Sequence, residues 1–468
     1  MERAATNWRD ASRRRGDTLY LDFGRHGVGM VTLEIEPHGD GSYDAPLRLR
    51  LVFGELPAEV AEADLPYRGG LSQSWIQEEM IHLDLLPDRV MLRRRYAFRY
   101  LRIDCLAFSG SFRFRNVTAD TVSSGNYASV APPPPGLDVE LAAIDRVGIA
   151  TLHSCMQNVL EDGPKRDRRL WLGDLKLQAL VNSVSFRNFA LIERCLYLLA
   201  AATDDAGLIP GCVFDRTIAA RGCDAVDYAL LFGPTLLDHL ELSGDRSCVE
   251  ELFDLALHQL ELVRRTFGAD GRLPQQPQWW VFIDHVNTLN REAAYIATYI
   301  YSLRRNAELA RRLGRDAIAV ELEIEAAEHS RRARNCFYDE TSGLVTSGTE
   351  RQLSFASQIW FTLADILTPE ESIRALTGIE VAPDAVRPVS PYLWHYMLEA
   401  LFACGMNERA WQLIREYWGD MVRYGADTFW EVFVPGEMKF SPYNDYRLNS
   451  ACHAWSCTPS YFIRRYFR

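Results

Sequence analysis

The sequence lacks the features that mark membrane-spanning, secreted and metal-clustered proteins. No window approaches the roughly 20 apolar residues that a membrane helix needs. Residues 1–17 are polar and rich in arginine, without the apolar core of a secretion signal. The ten cysteines are scattered and form no CxxC pair. We therefore expect buried thiols instead of a zinc site or a disulfide framework, no membrane partner, and a cytoplasmic location.

An excess of positive charge is also missing. The formal net charge is -12 and the sequence pI is about 5.4. Proteins that bind nucleic acid without sequence preference concentrate Lys and Arg to neutralise phosphates, so we predict no nucleic-acid partner. The 468 residues, of which 48% are hydrophobic, suffice for a large core and for two or more domains. The oligomeric state is left open by these data, and a homo-oligomer is one alternative.

The first 130 residues show the period-2 alternation of half-buried strands. The alternating or strand-like runs are residues 31–36, 47–53, 89–92, 98–103 and 112–117. Turn-rich connections separate them, which predicts an antiparallel β-sandwich for residues 1–130. Four consecutive prolines then predict a semi-rigid linker at residues 131–137.

Residues 138–468 switch to helical periodicity. The predicted helices are residues 141–160, 175–201, 224–242, 248–267, 288–313, 317–336, 392–404 and 408–424. These successive helix pairs make a stretch that is too long for one simple bundle, and they suggest a closed ring of α-hairpins. We find no sequence repeat at the corresponding period of roughly 50 residues, and a right-handed solenoid fits the same pattern.

Residues 162–174 are the most informative stretch. They combine the carboxylates of Asp162, Asp167 and Asp174 with three arginines, including Arg166, and with Trp171. A solvated helix face would spread its charges at i,i+4 spacing and would not interrupt them with Gly-Pro and Trp-Leu-Gly. The pattern favours a sugar-binding cleft, while a structural ion-pair loop is the alternative.

Three further places look unusual for simple packing. Trp279 and Trp280 precede Asp284, and adjacent aromatics cannot both face one helical core, so we expect at least one of them to stack on a sugar ring. The alternative is a tryptophan pair that bridges two core layers, with Asp284 as a first-turn or capping acid of a helix. Trp430 and Glu431 lie in an aromatic run, where burial would raise the pKa of an unpaired carboxyl group toward the range useful for proton transfer. Pairing of Glu431 with an arginine is the alternative there.

His453 is the third, within a run of small residues at a predicted helix start. A single histidine of this kind is more often a satisfied core residue than a functional one.

Two carboxylates on opposite sides of one cleft would suit glycoside hydrolysis. That reaction needs a protonated acid at the leaving oxygen and a second carboxylate that attacks the sugar or activates water. Asp167 and Glu431 are the candidates, and only a fold that returns the C-terminal region to its start can bring them together.

Together these residues resemble the bacterial α-L-rhamnosidases of glycoside hydrolase family 78. The family segment Asp-Cys-Pro-x-Arg-(Asp/Glu)-Glu-Arg-Leu-Gly-Trp-Thr-Gly-Asp is matched by Asp162, Pro164, Arg166, Asp167, Arg168, Trp171, Gly173 and Asp174. The resemblance extends to residues 98–103, to Asp227 and Tyr228, to residues 279–284, to residues 429–431 and to His453. It covers nearly the whole chain from about residue 19.

The resemblance implies a multidomain α and β protein, in which an N-terminal antiparallel β-sandwich precedes an (α/α)6 barrel, that is, a six-hairpin ring. It also implies an inverting, exo-acting glycosidase that uses no metal or cofactor and takes a terminal sugar as its partner. Alignment backward from Trp171 places Asp167 at the general acid, whereas alignment forward from Asp162 places Arg168 there, which cannot usefully donate a proton. We therefore assign the acid to Asp167, expect Glu161, Asp162 or Asp174 to keep it protonated, and assign the base to Glu431.

By the same resemblance, the remaining site residues would bind substrate. They are Asp162, Arg166, Trp171, Asp174, Asp227, Trp279, Trp280, Asp284, Trp430 and His453. This chain departs from the family at Gly163, where the family has Cys, and at Asp167, whose side chain is one methylene shorter than Glu. A non-catalytic carbohydrate-binding protein and a lyase or phosphorylase on the same barrel are the alternatives.

Overall fold

The structure is a computed structural model that describes residues 8–39, 45–215, 220–267 and 279–467. An N-terminal part made of strands precedes a larger helical part. The strands and the short helix of the first part are β1 Thr18–His38, β2 Leu47–Gly54, α1 Pro57–Ala61, β3 Glu78–Leu83, β4 Asp88–Met91, β5 Tyr96–Ala107 and β6 Ser111–Thr121, with 3-10 turns at Gln73–Trp75 and Tyr127–Ser129.

The six strands form one antiparallel sheet that curls around its own core. The 21-residue β1 pairs with β5 along its first half and with β4 and β6 along its second half, so it belongs to both faces of the curl. At Gly29, where β1 passes from one neighbour to the other, a Cβ atom would lie 2.1 Å from the Asp120 carbonyl oxygen, so only glycine fits. Apolar side chains such as Leu33, Leu49 and Phe114 fill the enclosed space.

The helical part begins at Val139. Its helices are α2 Val139–Cys155, α3 Leu172–Val184, α4 Phe189–Ala201, α5 Val226–Leu230, α6 Phe232–Ser243, α7 Ser247–Arg264, α8 Glu292–Arg312, α9 Asp316–Phe337, α10 Phe355–Leu363, α11 Pro369–Val381, α12 Pro391–Ala403, α13 Asn407–Arg423 and α14 Pro459–Tyr466. Short strands and 3-10 turns connect them: β7 Leu170–Trp171, β8 Cys212–Phe214, β9 Ala220–Arg221, β10 Tyr338–Asp339, β11 Leu344–Ser347, β12 Gln352–Leu353, Tyr446–Leu448 and Ala454–Ser456.

These helices pack as six hairpins around a closed ring. The inner helices α3, α6, α8, α10 and α12 each contact the next one, and the turn Ala454–Ser456 together with α14 closes the ring back onto α3. The outer helices α2, α4, α7, α9, α11 and α13 cover this ring. The six-hairpin fold predicted from the sequence is therefore confirmed, and the closed ring replaces the solenoid alternative.

Several predicted helices differ in detail. The run 175–201 is two helices, because Arg187 has a positive φ of 56° and the Asn188 side chain caps α4 by accepting a hydrogen bond from the Leu191 backbone N–H. The run 224–242 likewise divides at Leu231 into α5 and α6. Helices α10, α11 and α14 were not predicted. Residues 131–137 contain no helix or strand, although the domain boundaries drawn there stay a prediction.

The helices in the described ranges include none that is both long enough and apolar enough to cross a bilayer. The predicted cytoplasmic location stays a prediction.

A buried ionic cluster joins the sheet to residues 162–174. The Lys165 ammonium lies 3.0 Å from Glu59 Oε2 and 3.4 Å from Glu55 Oε2, and its side chain is only 1% exposed. Glu55 also contacts His26 Nε2 at 3.0 Å and accepts the Ala451 backbone N–H at 2.5 Å. The Glu55 carboxylate, directly after β2, therefore contacts two segments of the helical part.

Replacing Lys165 by Met should lower the free energy of unfolding by about 3–5 kcal/mol, because it leaves buried carboxylates without their cation. Urea denaturation followed by circular dichroism measures this. Lys439→Met is the matched control, since that lysine is 60% exposed and pairs with Glu62 at the surface, where loss of a pair costs under about 1 kcal/mol. Equal effects of the two substitutions would contradict the prediction.

Candidate active site

A cavity of about 420 Å³ opens at one end of the helical ring, beside the sheet. Residues from five separate segments line it: Leu71, Trp75, Asp162, Arg166, Asp167, Arg169, Trp171, Asp174, Cys223, Tyr228, Trp280, Phe282, His285, Glu431, Tyr443, His453 and Trp455. The segment 162–174 forms one wall because α2 ends at Cys155 and the chain crosses the ring before α3 begins. Both predicted catalytic carboxylates therefore face one cavity.

Asp162 holds the segment in shape. Its carboxylate accepts the backbone N–H groups of Asp167 and Arg169, each at 3.1 Å. Burial, and then the charge of Asp167, raises the pKa of Asp162 well above its usual value. The backbone around Asp167 is thus fixed by a side chain that also lines the cavity.

Arg166 lies between the two predicted catalytic residues. Its Nη1 atom donates to Asp167 Oδ1 at 2.9 Å, its Nη2 atom donates to Glu431 Oε1, and its Nε atom donates to the Leu448 carbonyl oxygen at 2.7 Å. Arg166 was predicted to bind substrate, but its donors are used mainly to join residues 264 positions apart in the chain. The guanidinium group therefore fixes the relative position of the two carboxylates.

The surroundings of Asp167 differ from the expectation. Glu161 pairs with Arg95, at 2.6 and 2.8 Å, and does not line the cavity. The Asp167 carboxylate contacts Arg166 and, at 3.5 Å, Arg169 Nη1. Two guanidinium groups therefore contact this side chain directly, and Asp162 and Asp174 are the carboxylates close enough to interact with its charge.

Glu431 is buried and fully hydrogen-bonded. Its Oε1 atom accepts the Tyr443 hydroxyl at 2.6 Å, and its Oε2 atom accepts the Ser450 backbone N–H at 2.8 Å. Burial alone would raise the pKa of Glu431, but Arg166 and the nearby histidines outweigh it and bring the pKa to about 2. The sequence-based expectation of a raised pKa is wrong for this reason, and Glu431 is ionised at neutral pH.

Four polar atoms of residues that line the cavity have no hydrogen-bond partner among the described residues. They are Arg169 Nε, Trp171 Nε1, Asp174 Oδ1 and His453 Nδ1, and the last two lie 3.5 Å apart. Burial, together with the Asp162 and Glu431 charges, raises the pKa of Asp174 well above its usual value, and burial lowers the pKa of His453 to about 3. Unpaired buried polar atoms are costly, so a polar ligand that pairs with them would bind well.

Aromatic rings form the rest of the wall. Trp171 and Trp280 meet edge to face with centroids 6.5 Å apart, and Trp280 is 47% exposed. Phe282 stacks on Trp455 at 5.9 Å. Apolar ring faces next to unpaired donors and acceptors are the combination that a sugar ring requires.

Four predicted substrate residues do not line this cavity: Asp227, Trp279, Asp284 and Trp430. The two carboxylates instead hold backbone. Asp227 accepts the N–H groups of Phe282 and Ile283, at 3.0 and 2.9 Å. Ile283 has a φ of 55°, which is rare for a β-branched residue, so Asp227 stabilises the turn that aims Phe282 at the cavity.

Asp284 accepts the Ser390 hydroxyl at 2.5 Å and the Val389 N–H at 3.0 Å. It does not start a helix as expected, because α8 begins only at Glu292. The Trp430 ring is buried against Phe433, and Trp279 packs half-buried against the core of the helical part. The side chains of Asp284, Trp430 and Trp279 therefore lie behind the cavity walls and stabilise them.

Several residues that line the cavity were not predicted. Tyr443 and His285 sit on loops without a helical or strand pattern. Trp75 comes from the 3-10 turn Gln73–Trp75 of the N-terminal part, which the sequence presented as an accessory domain. His285 Nε2 lies 3.3 Å from the Tyr443 hydroxyl and 3.7 Å from Glu431 Oε1. In the sequence, the only sign of a role for His285 was its position next to Asp284 in an aromatic run.

The acid sensitivity of the fold should depend on His285. Burial lowers its pKa to about 4, so between pH 6.5 and 4 the unfolded chain binds a proton that the folded chain does not. This contribution to stability is complete above pH 6.5 and is lost as the pH falls through about 4; it amounts to about 3 kcal/mol. Replacement by Gln should flatten the pH dependence of the free energy of unfolding by that amount, as measured by urea denaturation.

His82→Gln, at an exposed position in β3, is the matched control for that experiment. An unchanged slope for His285→Gln would contradict the assignment.

Outside the cavity, Glu193, His239 and Asp245 each place one potential ligand atom within 4.8 Å of the other two. His239 Nε2 lies 3.7 Å from Glu193 Oε1. We assign no ion to this group, because such arrangements of acidic side chains are common without one.

Comparisons with known families match both parts of the chain. Residues 2–121 match the glycosyl hydrolase family 78 alpha-rhamnosidase N-terminal domain. Residues 138–467 match the bacterial alpha-L-rhamnosidase 6 hairpin glycosidase domain. A comparison with curated proteins found no match.

Solved structures with similar folds include rhamnosidases. One from Klebsiella oxytoca, with rhamnose bound, is 41% identical with a TM-score of 0.94, over 98% of this chain and 89% of that one. A family 78 rhamnosidase of Bacillus sp. GL1 is 19% identical with a TM-score of 0.80, over 95% of this chain and 46% of that one. An α-L-rhamnosidase of Streptomyces avermitilis complexed with L-rhamnose is 15% identical with a TM-score of 0.70, over 95% and 42%. At these low identities the last two show the fold alone.

Proposed function

Because this chain belongs to glycosyl hydrolase family 78 and is a glycosidase, we propose that it removes terminal α-L-rhamnose from a glycoside with inversion of configuration. Asp167 acts as the general acid and Glu431 as the general base. The observation that carries the proposal is the single cavity in which Arg166 holds both carboxylates.

The ionised state of the Glu431 carboxylate at neutral pH supports its role as the base. With a pKa of about 2 it is ionised at neutral pH and can accept a proton from water. In the reaction the water oxygen bonds to the anomeric carbon as its proton passes to Glu431. The bond to the leaving oxygen breaks on the opposite face, and the proton of the Asp167 carboxyl group passes to that oxygen. Glu431 then returns its proton to solvent and Asp167 regains one.

We propose inversion instead of retention because Arg166 contacts both carboxylates. A guanidinium group stands between them, which favours the separation of roughly 6.5–9.5 Å that leaves room for a water, over the roughly 5–5.5 Å of a direct nucleophile.

The hydroxyl groups of a sugar would complement the polar atoms of the cavity that have no hydrogen-bond partner among the described residues. Hydroxyl groups of the sugar would pair with Asp174 Oδ1, His453 Nδ1 and Trp171 Nε1. The 6-methyl group of a deoxy-sugar cannot form hydrogen bonds and would lie against apolar rings such as Phe282 and Trp280. A rhamnosidase from Klebsiella oxytoca that shares 41% of its sequence binds rhamnose, which favours this sugar.

The test is a panel of 4-nitrophenyl glycosides with proton NMR of the first product. We expect release from the α-L-rhamnoside, with β-L-rhamnose appearing before mutarotation. Release only with phosphate present would favour the phosphorylase alternative, and an ultraviolet-absorbing unsaturated sugar would favour the lyase. The α-anomer as first product, or hydrolysis only of other sugars, would contradict the proposal.

A further inference from the structure

One exposed cysteine lines the active-site cavity, although the sequence predicts buried thiols. Seven of the ten cysteines are buried and Cys404 is half-buried, whereas Cys223 and Cys336 are exposed. Cys336 lies in α9 and does not line the cavity. Cys223 follows β9 and lines the cavity together with Trp171 and Trp280. The proposed hydrolysis makes no use of this thiol, which reagents that enter the cavity can reach.

The buried thiol of Cys212 lies next to that of Cys223. The Gly222 N–H donates to the Cys212 carbonyl oxygen at 2.9 Å, and the Gly211 N–H donates to the Cys223 carbonyl oxygen at 2.7 Å, so both cysteines lie at the same end of the β8–β9 pair. A Cβ atom at residue 222 would lie 2.3 Å from Cys212 Sγ, so only glycine leaves room for this thiol. The two thiols are close enough to form a hydrogen bond with each other.

The groups around Cys223 favour its thiolate. The hydrogen bond from the Cys212 thiol lowers the pKa of Cys223, burial raises it, and the Arg169 guanidinium lowers it again, with a net lowering. The same hydrogen bond raises the pKa of Cys212, so that thiol keeps its proton. Thiolates, and not thiols, are the nucleophiles of cysteine chemistry. An accessible thiolate beside a second thiol is the arrangement that reacts with peroxides.

A second close pair of thiols differs in its access to solvent. Cys155 Sγ and Cys452 Sγ lie 3.9 Å apart, and both residues are buried. Buried thiols of this kind are inert. Only the pair of Cys223 and Cys212, among the thiol contacts of the described ranges, combines an exposed member with a buried one. An oxidant from solvent therefore meets Cys223 first.

From these observations we propose that Cys223 and Cys212 form a dithiol that hydroperoxides oxidise. The Cys223 thiolate attacks one oxygen of hydrogen peroxide, the O–O bond breaks, and the other oxygen leaves as hydroxide, so Cys223 becomes a sulfenic acid. The Cys212 sulfur then attacks the Cys223 sulfur, its proton passes to the departing hydroxyl, and water is released. Overall, two thiols lose two electrons and two protons, and one hydrogen peroxide is reduced to two waters.

The disulfide should weaken sugar binding, an effect that rests on the proposed function. Cys212 in β8 pairs with Trp171 in β7, and Trp171 Nε1 is one of the unpaired atoms assigned to the sugar. Formation of the S–S bond draws Cys223 toward Cys212 and changes the cavity wall beside this ring. We therefore expect KM to rise on oxidation and to return to its original value on reduction.

The test treats the unchanged enzyme with hydrogen peroxide, blocks the remaining thiols with N-ethylmaleimide and maps all cysteines by peptide mass spectrometry. We expect the disulfide between Cys212 and Cys223 to form before any other cysteine is modified. Cys336, which is also exposed, serves as the internal reference and should react at least about tenfold more slowly. KM for 4-nitrophenyl α-L-rhamnoside should rise at least about fivefold, and dithiothreitol should reverse the change.

Cys212→Ser separates the two steps without changing the cavity residue. Serine keeps a hydroxyl that can donate to Cys223, but it cannot form a disulfide. In this variant we expect the Cys223 sulfenic acid to be trapped by dimedone, and excess peroxide to carry it to the sulfinic acid, which dithiothreitol does not reduce. Cys336→Ser is the matched control, because it removes the other exposed thiol, and it should respond to peroxide and dithiothreitol as the parent enzyme does.

Several results would overturn the proposal. They are a first disulfide between Cys155 and Cys452, equal rates of modification at Cys223 and Cys336, and full recovery of Cys212→Ser by dithiothreitol after excess peroxide. A disulfide that forms without a rise in KM would overturn the effect on sugar binding. If the enzyme hydrolyses no rhamnoside, the proposed function fails, whereas the peptide map still decides the dithiol because it needs no substrate.

Discussion

Replacing Glu431 by Gln is expected to lower kcat by about 10³-fold or more, with little change in KM. Gln is nearly isosteric, and its one carbonyl oxygen can still accept the hydrogen bond of either Tyr443 or Ser450, which donate to different oxygens of Glu431, but it cannot take a proton from the attacking water. The measurement is steady-state hydrolysis of 4-nitrophenyl α-L-rhamnoside, with circular dichroism to show that the variant is folded.

Azide rescue and a control substitution test this prediction further. Azide needs no deprotonation, so it should restore turnover of the Glu431 variant and give the β-glycosyl azide. The same substitution at Glu437, an exposed residue six positions along the chain, should leave activity unchanged. A Glu431 variant that keeps more than roughly a tenth of the parent rate would exclude a general base at this position.

Replacing Asp167 by Asn should have an effect that depends on the leaving group. Hydrolysis of methyl α-L-rhamnoside should slow by about 10³-fold, because a poor leaving group needs the proton that the acid supplies. Hydrolysis of the 2,4-dinitrophenyl glycoside should slow by less than about tenfold, because that group leaves readily as an anion. The measurement is kcat/KM on a series of leaving groups.

Asp205→Asn is the control, since Asp205 is exposed on the turn after α4 and does not line the active-site cavity. Asp167→Glu should recover much more activity than Asp167→Asn, because it restores an ionisable carboxyl group. Equal losses on good and poor leaving groups would assign Asp167 a structural role, as a partner of Arg166 and Arg169.

The two substitutions should also differ in stability. Arg166 keeps Asp167 as a partner when Glu431 is changed, and keeps Glu431 when Asp167 is changed. Glu431 is the more buried carboxylate, with 3% of its side chain exposed against 13% for Asp167. The loss of its charge leaves a buried cation less well paired and should therefore destabilise the fold more.

The sequence determined the main features of the fold. Period-2 alternation marked the strands of the sheet, helical periodicity marked most of the ring, and the charged segment 162–174 marked the site, because each of these signals lies within a few consecutive residues. The same locality explains which predicted residues reach the cavity. Asp162, Arg166, Asp167, Trp171 and Asp174 come from one short segment and all line it.

Only the tertiary structure decided how distant residues combine. The pKa of Glu431 follows from Arg166, 265 residues earlier, and sequence reasoning from its aromatic neighbours gave the wrong direction. The carboxylates of Asp227 and Asp284 accept hydrogen bonds from backbone N–H groups of other loops, and Trp75 reaches the site from the N-terminal part of the chain. Burial and charge at a point in space depend on every segment that meets there, and no local pattern in the chain records those meetings.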